Sequence, residues 1–298
     1  MHFVVISHIF AVMNNYDISS LHILTLNTGY AEHDKDWNWK DGRSPFARLY
    51  YVTKGEAWVE IDKQQIYLVP NHLYMIPPYT RHSNICTGVF CHYYIHIYEN
   101  PDSFSFLEDL RYPFEVIAHE EDKNLFQRLC SINPAMRLPE SDPLSYDNHS
   151  TLLQNIANNN QRPFWDIVES RGIIFIILSR FLKEAQPKQE IRDERIRHAA
   201  AYIHEHITEP INISKLASNA YMSEDHFIRL FRKELGETPT NYIIRLKMER
   251  AELMLITTNL SVKSISFELG YEEVSYFSNL FKKKIGRTPN DYRKGKRS

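Results

Sequence analysis

The chain has 298 residues and a formal net charge of −2, with 43% hydrophobic and 24% charged residues, the fractions of a soluble globular protein. That length accommodates two domains with ordinary cores, and no apolar run after the first residues reaches the roughly 18 needed to cross a bilayer. Cys86, Cys91 and Cys130 are odd in number and show no C-x-x-C spacing, which fits reduced thiols in a cytoplasm better than a disulfide framework or zinc site.

In chain order, the first segment, residues 1–13, is apolar but carries no basic leader, and Asn14 to Asp17 make no small-residue cleavage site. Residues 21–98 then read as short strands: LHILTL, FARLYYVT, AWVEID, QQIYLVP, HLYMIPP and HYYIHIY. Turn signals at Lys54-Gly55, Asp62-Lys63 and Pro77-Pro78 separate them at the spacing of a small barrel or sandwich. After about residue 103 the pattern turns helical. Residues 162–185 predict the strongest helix, with an apolar excess at Phe164, Ile167, Val168, Ile174, Ile177, Leu178 and Phe181 that suggests a dimer seam. Residues 186–194 are polar, contain a proline and have no apolar period, as a linker does.

Residues 68–83, LVPNHLYMIPPYTRHS, resemble the strand-turn-strand of cupin barrels, with Asn71-His72 where that pattern has Gly-Asp. A cupin enzyme needs a metal held by about three His and one carboxylate, beginning with H-x-H on an early strand. The corresponding strand, Ala57 to Ile61, has no His. The expectation is therefore no metal site, no cofactor and no catalytic residues. Trp58, His82, Tyr94 and His96 are instead candidates for polar and aromatic contacts to a small effector in the barrel.

The C-terminal half is duplicated. FIRLFRKELGETPTNY from Phe227 and YFSNLFKKKIGRTPNDY from Tyr276 align at an offset of 50, matching Phe227 with Phe277, Leu230 with Leu280, Phe231 with Phe281, Gly236 with Gly286, Thr238-Pro239 with Thr288-Pro289, and Tyr242 with Tyr292. Ile211 to Asn219 with a turn at Ala220 to Met222, and Ser264 to Leu269 with a turn at Gly270, lead into the two long helices, in the pattern of a helix-turn-helix. Ser223 is a predicted N-cap. From Ala217 to Phe231 is 14 positions and from Ser266 to Phe281 is 15, which predicts a second turn one residue longer, eased by Gly270.

At 100° per residue the phenylalanines share one face of each long helix. The opposite face of the first carries Asp225, Arg229 and Arg232, flanked by His226, Ile228 and Lys233; that of the second carries Ser275, Asn279 and Lys282, flanked by Tyr276, Ser278 and Lys283. Arg matches a guanine edge and Asn an adenine edge through two hydrogen bonds each, whereas Lys and a second Arg suit phosphates. Charge agrees: residues 190–298 carry 19 Lys and Arg against 15 Asp and Glu, a balance of +4, and residues 1–189 carry 16 against 22, a balance of −6. A helix starting at Thr238-Pro239 and running to about Ile256 connects the copies across roughly 27 Å, comparable with one duplex turn.

Residues 195–293 closely resemble the AraC/XylS family of bacterial transcription regulators, most specifically at Gly270-Tyr271, Ser275-Tyr276-Phe277-Ser278, Phe281-Lys282-Lys283, Gly286, Thr288-Pro289 and Tyr292-Arg293. Ser266 stands where the family usually has Ala, and Asn279 where it often has Arg. The resemblance implies an α+β protein: a cupin-like β-barrel with a helical dimerisation element over residues 1–185, a linker over 186–194, and an all-α domain over 195–298 with two helix-turn-helix units joined by a linker helix. It also implies a cytoplasmic homodimer bound to double-stranded promoter DNA, controlled by a small-molecule effector, with room for a contact to RNA polymerase. The rival expectations are a cupin enzyme fused to a DNA-binding module, and a regulator controlled by a protein partner without a ligand.

Overall fold

Period-two alternation sets the first unit, in which nine strands form the two main antiparallel sheets. The computed structural model describes residue 18 and residues 21–99, 106–138, 149–188 and 191–295; the apolar segment 1–13, positions 189–190 of the linker, and Lys296 and Arg297 of the basic tail lie outside the described residues. The chain divides into two units, residues 1–186 and 187–298. In the first, β1 (Ile23–Asp34), β8 (Val89–Glu99), β3 (Ala47–Gly55), β6 (His72–Ile76) and β9 (Glu115–Ile117) lie side by side in that order. The second sheet has the order β2 (Trp39–Gly42), β7 (His82–Ile85), β4 (Ala57–Ile61) and β5 (Gln64–Leu68). Among the described residues these strands make two main sheets and no closed ring, and a separate two-stranded pairing involves Leu110–Arg111. Strands β2, β7 and β9 went unpredicted, because each is only three or four residues long and holds little apolar alternation.

Alternation gives each strand of the larger sheet two distinct faces. Leu49, Tyr51, Leu73, Met75, Ile95 and Ile97 pack on helices α1 (Asp122–Ile132) and α3 (Phe164–Leu182). The opposite face carries Tyr50, Val52, Tyr74, Phe90 and Tyr94, which meet Ala57, Val59, Ile61 and Leu68 of the smaller sheet in a second core. The Asp62-Lys63 turn has φ of 50° and 66°, the double left-handed geometry that matches the twist of a two-residue hairpin. Asn71, standing where the cupin pattern has Gly, takes φ 65°, a conformation that Asn tolerates better than most residues. Helix α2 (His149–Asn160) approaches β1, where the Asn155 Nδ2 donates to Asn27 Oδ1.

Helix α3 corrects the expected seam. Ile174, Ile177, Leu178 and Phe181 are buried in the core against the larger sheet, and Arg180 ties the helix to α1 through Asp122 at 3.1 Å. The apolar residues left outside are Phe164, Trp165, Val168 and Ile176, exposed by 76%, 72%, 51% and 43%. The excess read from sequence is real but comprises two faces, one for the core and one open.

In the second unit, α4 (Glu194–Glu205), α5 (Ile213–Asn219) and α6 (Glu224–Leu235) pack on the first half of α7 (Pro239–Thr257). Helices α8 (Val262–Glu268), α9 (Val274–Ile285) and α10 (Pro289–Arg293) follow. Every aligned pair of the duplication has one physical role in both copies. Gly236 and Gly286 end α6 and α9 at φ 76° and 86°, a left-handed cap that costs glycine little. Thr238 and Thr288 cap the next helix by accepting from the N–H of Asn241 and Asp291, with Pro239 and Pro289 at its first position. Tyr242 and Tyr292 stand edge-on to Phe231 and Phe281 at 5.4 and 5.6 Å.

Because Phe181 is fully buried, Phe181→Ala should cost about 3–5 kcal/mol, read as a lower urea midpoint of the full-length protein.

Candidate nucleic-acid interface and inter-sheet site

The helix pairs α5–α6 and α8–α9 are built alike. Each short helix is closed by the same bond: Met222 N–H donates to Ala217 O, and Tyr271 N–H to Ser266 O, both at 3.0 Å. The connection between helices is one residue longer in the second pair, residues 269–273 against 220–223, as expected, although the bonded part of the turn is the same length in both. The additional residue, Glu272, lies after the turn, between Tyr271 and the N-cap Glu273. Tyr221 takes the left-handed conformation of Gly270, with φ 56° against 72°. Ser266, in place of the more usual Ala, is fully buried and still serves the turn through its carbonyl.

Ser223 caps α6 as predicted, its Oγ accepting from the His226 N–H. With Phe227, Phe231, Phe277 and Phe281 fully buried, the remaining faces are fixed in direction. Asp225, His226, Arg229, Arg232 and Lys233 are exposed and Ile228 half-buried; Ser275, Asn279, Lys282 and Lys283 are exposed and Ser278 half-buried, so the two helices match position by position. Several arginines elsewhere in the unit are neutralised by carboxylates. Arg245 pairs with Glu237 and Glu249 at 2.8 and 3.0 Å, and Arg195 with Asp193 at 2.7 Å. Among the described residues, Arg232, Lys233, Lys282 and Lys283 pair with no carboxylate, and Arg229 makes only a 3.3 Å bond to the Asp225 carbonyl. Such a face is suited to anions supplied from outside, as phosphates are. Tyr221, 94% exposed on the first turn, was missed by sequence reasoning, since no periodicity marks a turn residue.

In the first unit, His82, Tyr94 and His96 come together between the sheets. One row across the larger sheet is Asn27, His96, Arg48 and Ile76; the next is Gly29, Tyr94, Tyr50 and Tyr74. His82 faces them from β7, beside Ile61. Trp58 does not join them: it alternates with the buried Ala57 and Val59 and lies on the outer face of the smaller sheet, 6.2 Å from Tyr67. Two polar residues missed in the sequence complete the cluster. Arg48 is buried and donates to Ser44 Oγ at 2.9 Å, and the Asn27 side chain lies 3.1 Å from His96 Nδ1. Their signal was the alternation of Arg48 with the buried Leu49 and of Asn27 with Leu26.

Burial dominates the chemistry here. It drives His82 down to about 3 and His96 well below the usual imidazole range, with the Arg48 guanidinium adding to both. His92 is lowered likewise by burial and by His33. Burial also raises the Tyr94 phenol to about 12, against a bond from the Leu138 N–H that favours its ionised form. The site therefore holds neutral imidazoles and phenols around one guanidinium. Among the described residues no three His, Cys, Asp or Glu side chains converge to hold a metal ion, and no helix is long and apolar enough to cross a membrane.

The two units define a protein with a β-sheet ligand-binding module and a paired-helix module, and comparison with known proteins gives the same division. A family model described as an AraC-like ligand binding domain matches residues 26–143, and one described as a helix-turn-helix domain matches residues 216–295. The chain is 27% identical over 122 residues to the lactose operon transcription activator of Staphylococcus xylosus, covering 41% of this chain and 44% of that protein. It is 26% identical over 185 residues to the uncharacterized HTH-type transcriptional regulator YdiP of Escherichia coli, covering 61% of each. These matches span less than two thirds of either relative. Among solved structures, the C-terminal domain of the response regulator AraT from Geobacillus stearothermophilus is 30% identical, covering 34% of this chain and 84% of that one at a TM-score of 0.33. The chain belongs to the AraC/XylS family of helix-turn-helix transcription regulators.

The buried histidines make the first unit sensitive to acid. A neutral His with a folded pKa below its ordinary 6.5 leaves the unfolded chain holding more protons, so stability is full above pH 6.5 and falls as pH drops below it. For His82 that loss continues down to about pH 3. Each such residue adds a slope of up to about 1.4 kcal/mol per pH unit. Denaturation of wild type and His82→Gln at pH 7 and pH 5 should show the smaller acid loss in the variant.

Proposed function

We propose that this protein is a sequence-specific regulator of transcription that binds double-stranded promoter DNA through α6 and α9, acting as a regulator and not an enzyme. The observation that carries this reading is the pair of matched exposed faces, with cations that have no carboxylate partner, backed by identical buried phenylalanines. The two helix pairs are then two DNA-reading helix-turn-helix units. The 19 residues of α7, spanning about 28 Å, set them apart by a distance comparable with one duplex turn. Arg229 and Asn279 read bases; Arg232, Lys233, Lys282 and Lys283 anchor phosphates; Asp225, His226, Ile228, Ser275 and Ser278 border the groove.

Within the first unit, the inter-sheet cluster of His82, Tyr94 and His96, now with Arg48 and Asn27 and without Trp58, is the place for a small effector in an open, cupin-like chamber. A second copy of the chain covers the outer face of α3 at Trp165, Val168 and Ile176, making a cytoplasmic homodimer, and a promoter-bound dimer is in a position to touch RNA polymerase.

Gel-shift and competition binding of the full-length protein to duplexes selected from a random pool tests the DNA reading. Arg229→Ala or Asn279→Ala should each cost about 1–3 kcal/mol and relax preference at one base pair, at positions about one turn apart. Lys282→Ala should weaken all duplexes about equally and lower the log-log salt slope by about one. Binding that stays flat in salt, or two substitutions that relax the same base pair, would contradict these assignments.

Sedimentation of Trp165→Asp together with Val168→Asp should show a folded monomer, since both side chains already lie in water. An unchanged dimer would place the seam elsewhere.

A further inference from the structure

At the centre of the second unit sits a charge that the DNA-facing surface does not explain. Lys247, midway along α7, is 5% exposed. Its ammonium donates to Glu209 O at 3.0 Å and to Leu269 O at 2.6 Å, and lies 5.2 Å from the centre of the Tyr271 ring. Among the described residues no carboxylate pairs with it. Burial lowers its pKa to about 8, so at pH 7 it is still an ammonium.

The two carbonyls come from different halves of the unit. Glu209 lies in the loop between α4 and α5, which belongs to the first helix pair; Leu269 is the C-cap of α8, in the second. The loop and the cap also touch directly. A Cβ on Gly270 would come within 2.9 Å of Thr208 O, 3.1 Å of the Glu209 carbonyl carbon and 3.2 Å of Lys247 Nζ, and φ there is 72°. Gly270 therefore serves the turn and also lets the first half approach the second.

A lysine that only terminated α8 would need Leu269 O alone, where a cation suits the helix dipole. The bond to Glu209 O adds nothing to that role. A buried ammonium costs several kcal/mol in lost hydration, which an apolar side chain of similar length avoids. What the ammonium supplies is direction: two hydrogen bonds at fixed angles, one to each half.

We propose that Lys247 is a positioning residue for DNA recognition: through Glu209 O and Leu269 O it locks the two helix pairs at one mutual angle, so that α6 and α9 accept only one separation of their target base pairs. This rests on the DNA-binding reading above. A helix alone leaves this angle less constrained, because a helix of this length can curve and the chain beyond its end can rotate.

The test uses full-length protein and a duplex selected by wild type from a random-sequence pool. One base pair is inserted or deleted between the segments assigned by Arg229→Ala and Asn279→Ala, and a duplex keeping only the α6 segment is the control. Wild type should lose about tenfold in affinity on either change, since each added pair rotates one target by about a tenth of a turn. Lys247→Met, which keeps length and apolar packing, should bind all spacings within about threefold and bind the single-segment control as wild type does. Lys247→Arg, which can donate to both carbonyls, should restore the wild-type profile. Amide exchange in Lys247→Met should quicken at residues 208–209 and 269–271 while α6 stays protected. Should Lys247→Met fail to fold, Gly270→Ala is read in the same way.

A wild-type spacing profile in Lys247→Met, or a loss on the single-segment control as large as on the full duplex, overturns the positioning role while leaving DNA binding intact. If wild type selects no duplex at all, the DNA-binding reading itself falls, and the positioning role with it.

Discussion

Burial of two phenylalanines one helical turn apart, backed by a tyrosine from the following helix, is the interaction on which the second unit depends. Phe227 with Phe231 and Phe277 with Phe281 are fully withdrawn from water, and Tyr242 and Tyr292 meet them edge-on. Each ring removes a large apolar surface from solvent and has few rotamers left once packed. A helix held by such a face cannot roll. The exposure of Arg229 and Asn279, of Arg232 and Lys282, then follows from the 3.6-residue period without any contact of their own.

That rigidity gives the capping chemistry its importance. Ser223, Thr238 and Thr288 start helices at defined residues, and Gly236 and Gly286 stop them at defined residues. Helices of fixed length in fixed rotation are what the proposed reading of a duplex at two points demands. In the proposed positioning role, Lys247 extends the same logic from each half to the relation between halves, at the cost of a buried charge.

The first unit solves a different problem. Its larger sheet has two buried faces, so its strands run nearly continuously buried, and the two faces differ in kind. The helix side is apolar, with aliphatic side chains around Tyr51, Phe126 and Phe181; the inter-sheet side holds His82, His92, His96, Arg48 and Asn27 among aromatic rings. Polar groups in so dry a place carry large desolvation costs. They are suited to matching a buried ligand's polar atoms, and they leave the unit vulnerable to acid.

Much of the second unit was determined by sequence alone, because its information is local. An offset of 50, the Phe spacing, Ser223, Gly236, Gly286 and the two Thr-Pro pairs each act within a few residues, so caps, faces and exposure could be read from neighbours in the chain. Tertiary structure decided whatever depended on contacts between distant residues. Ile177 and Phe181 belong to the core, and Trp165 and Val168 to the surface, because α3 has a sheet beneath it on one side only. Trp58 turns outward while Tyr94 turns inward because pairing register assigns each strand's faces. Glu272 lies beyond the turn because the bond from Tyr271 to Ser266 closes it first. Lys247 looked like one more basic residue of a helix until Glu209 and Leu269, 38 and 22 residues away, brought their carbonyls to it.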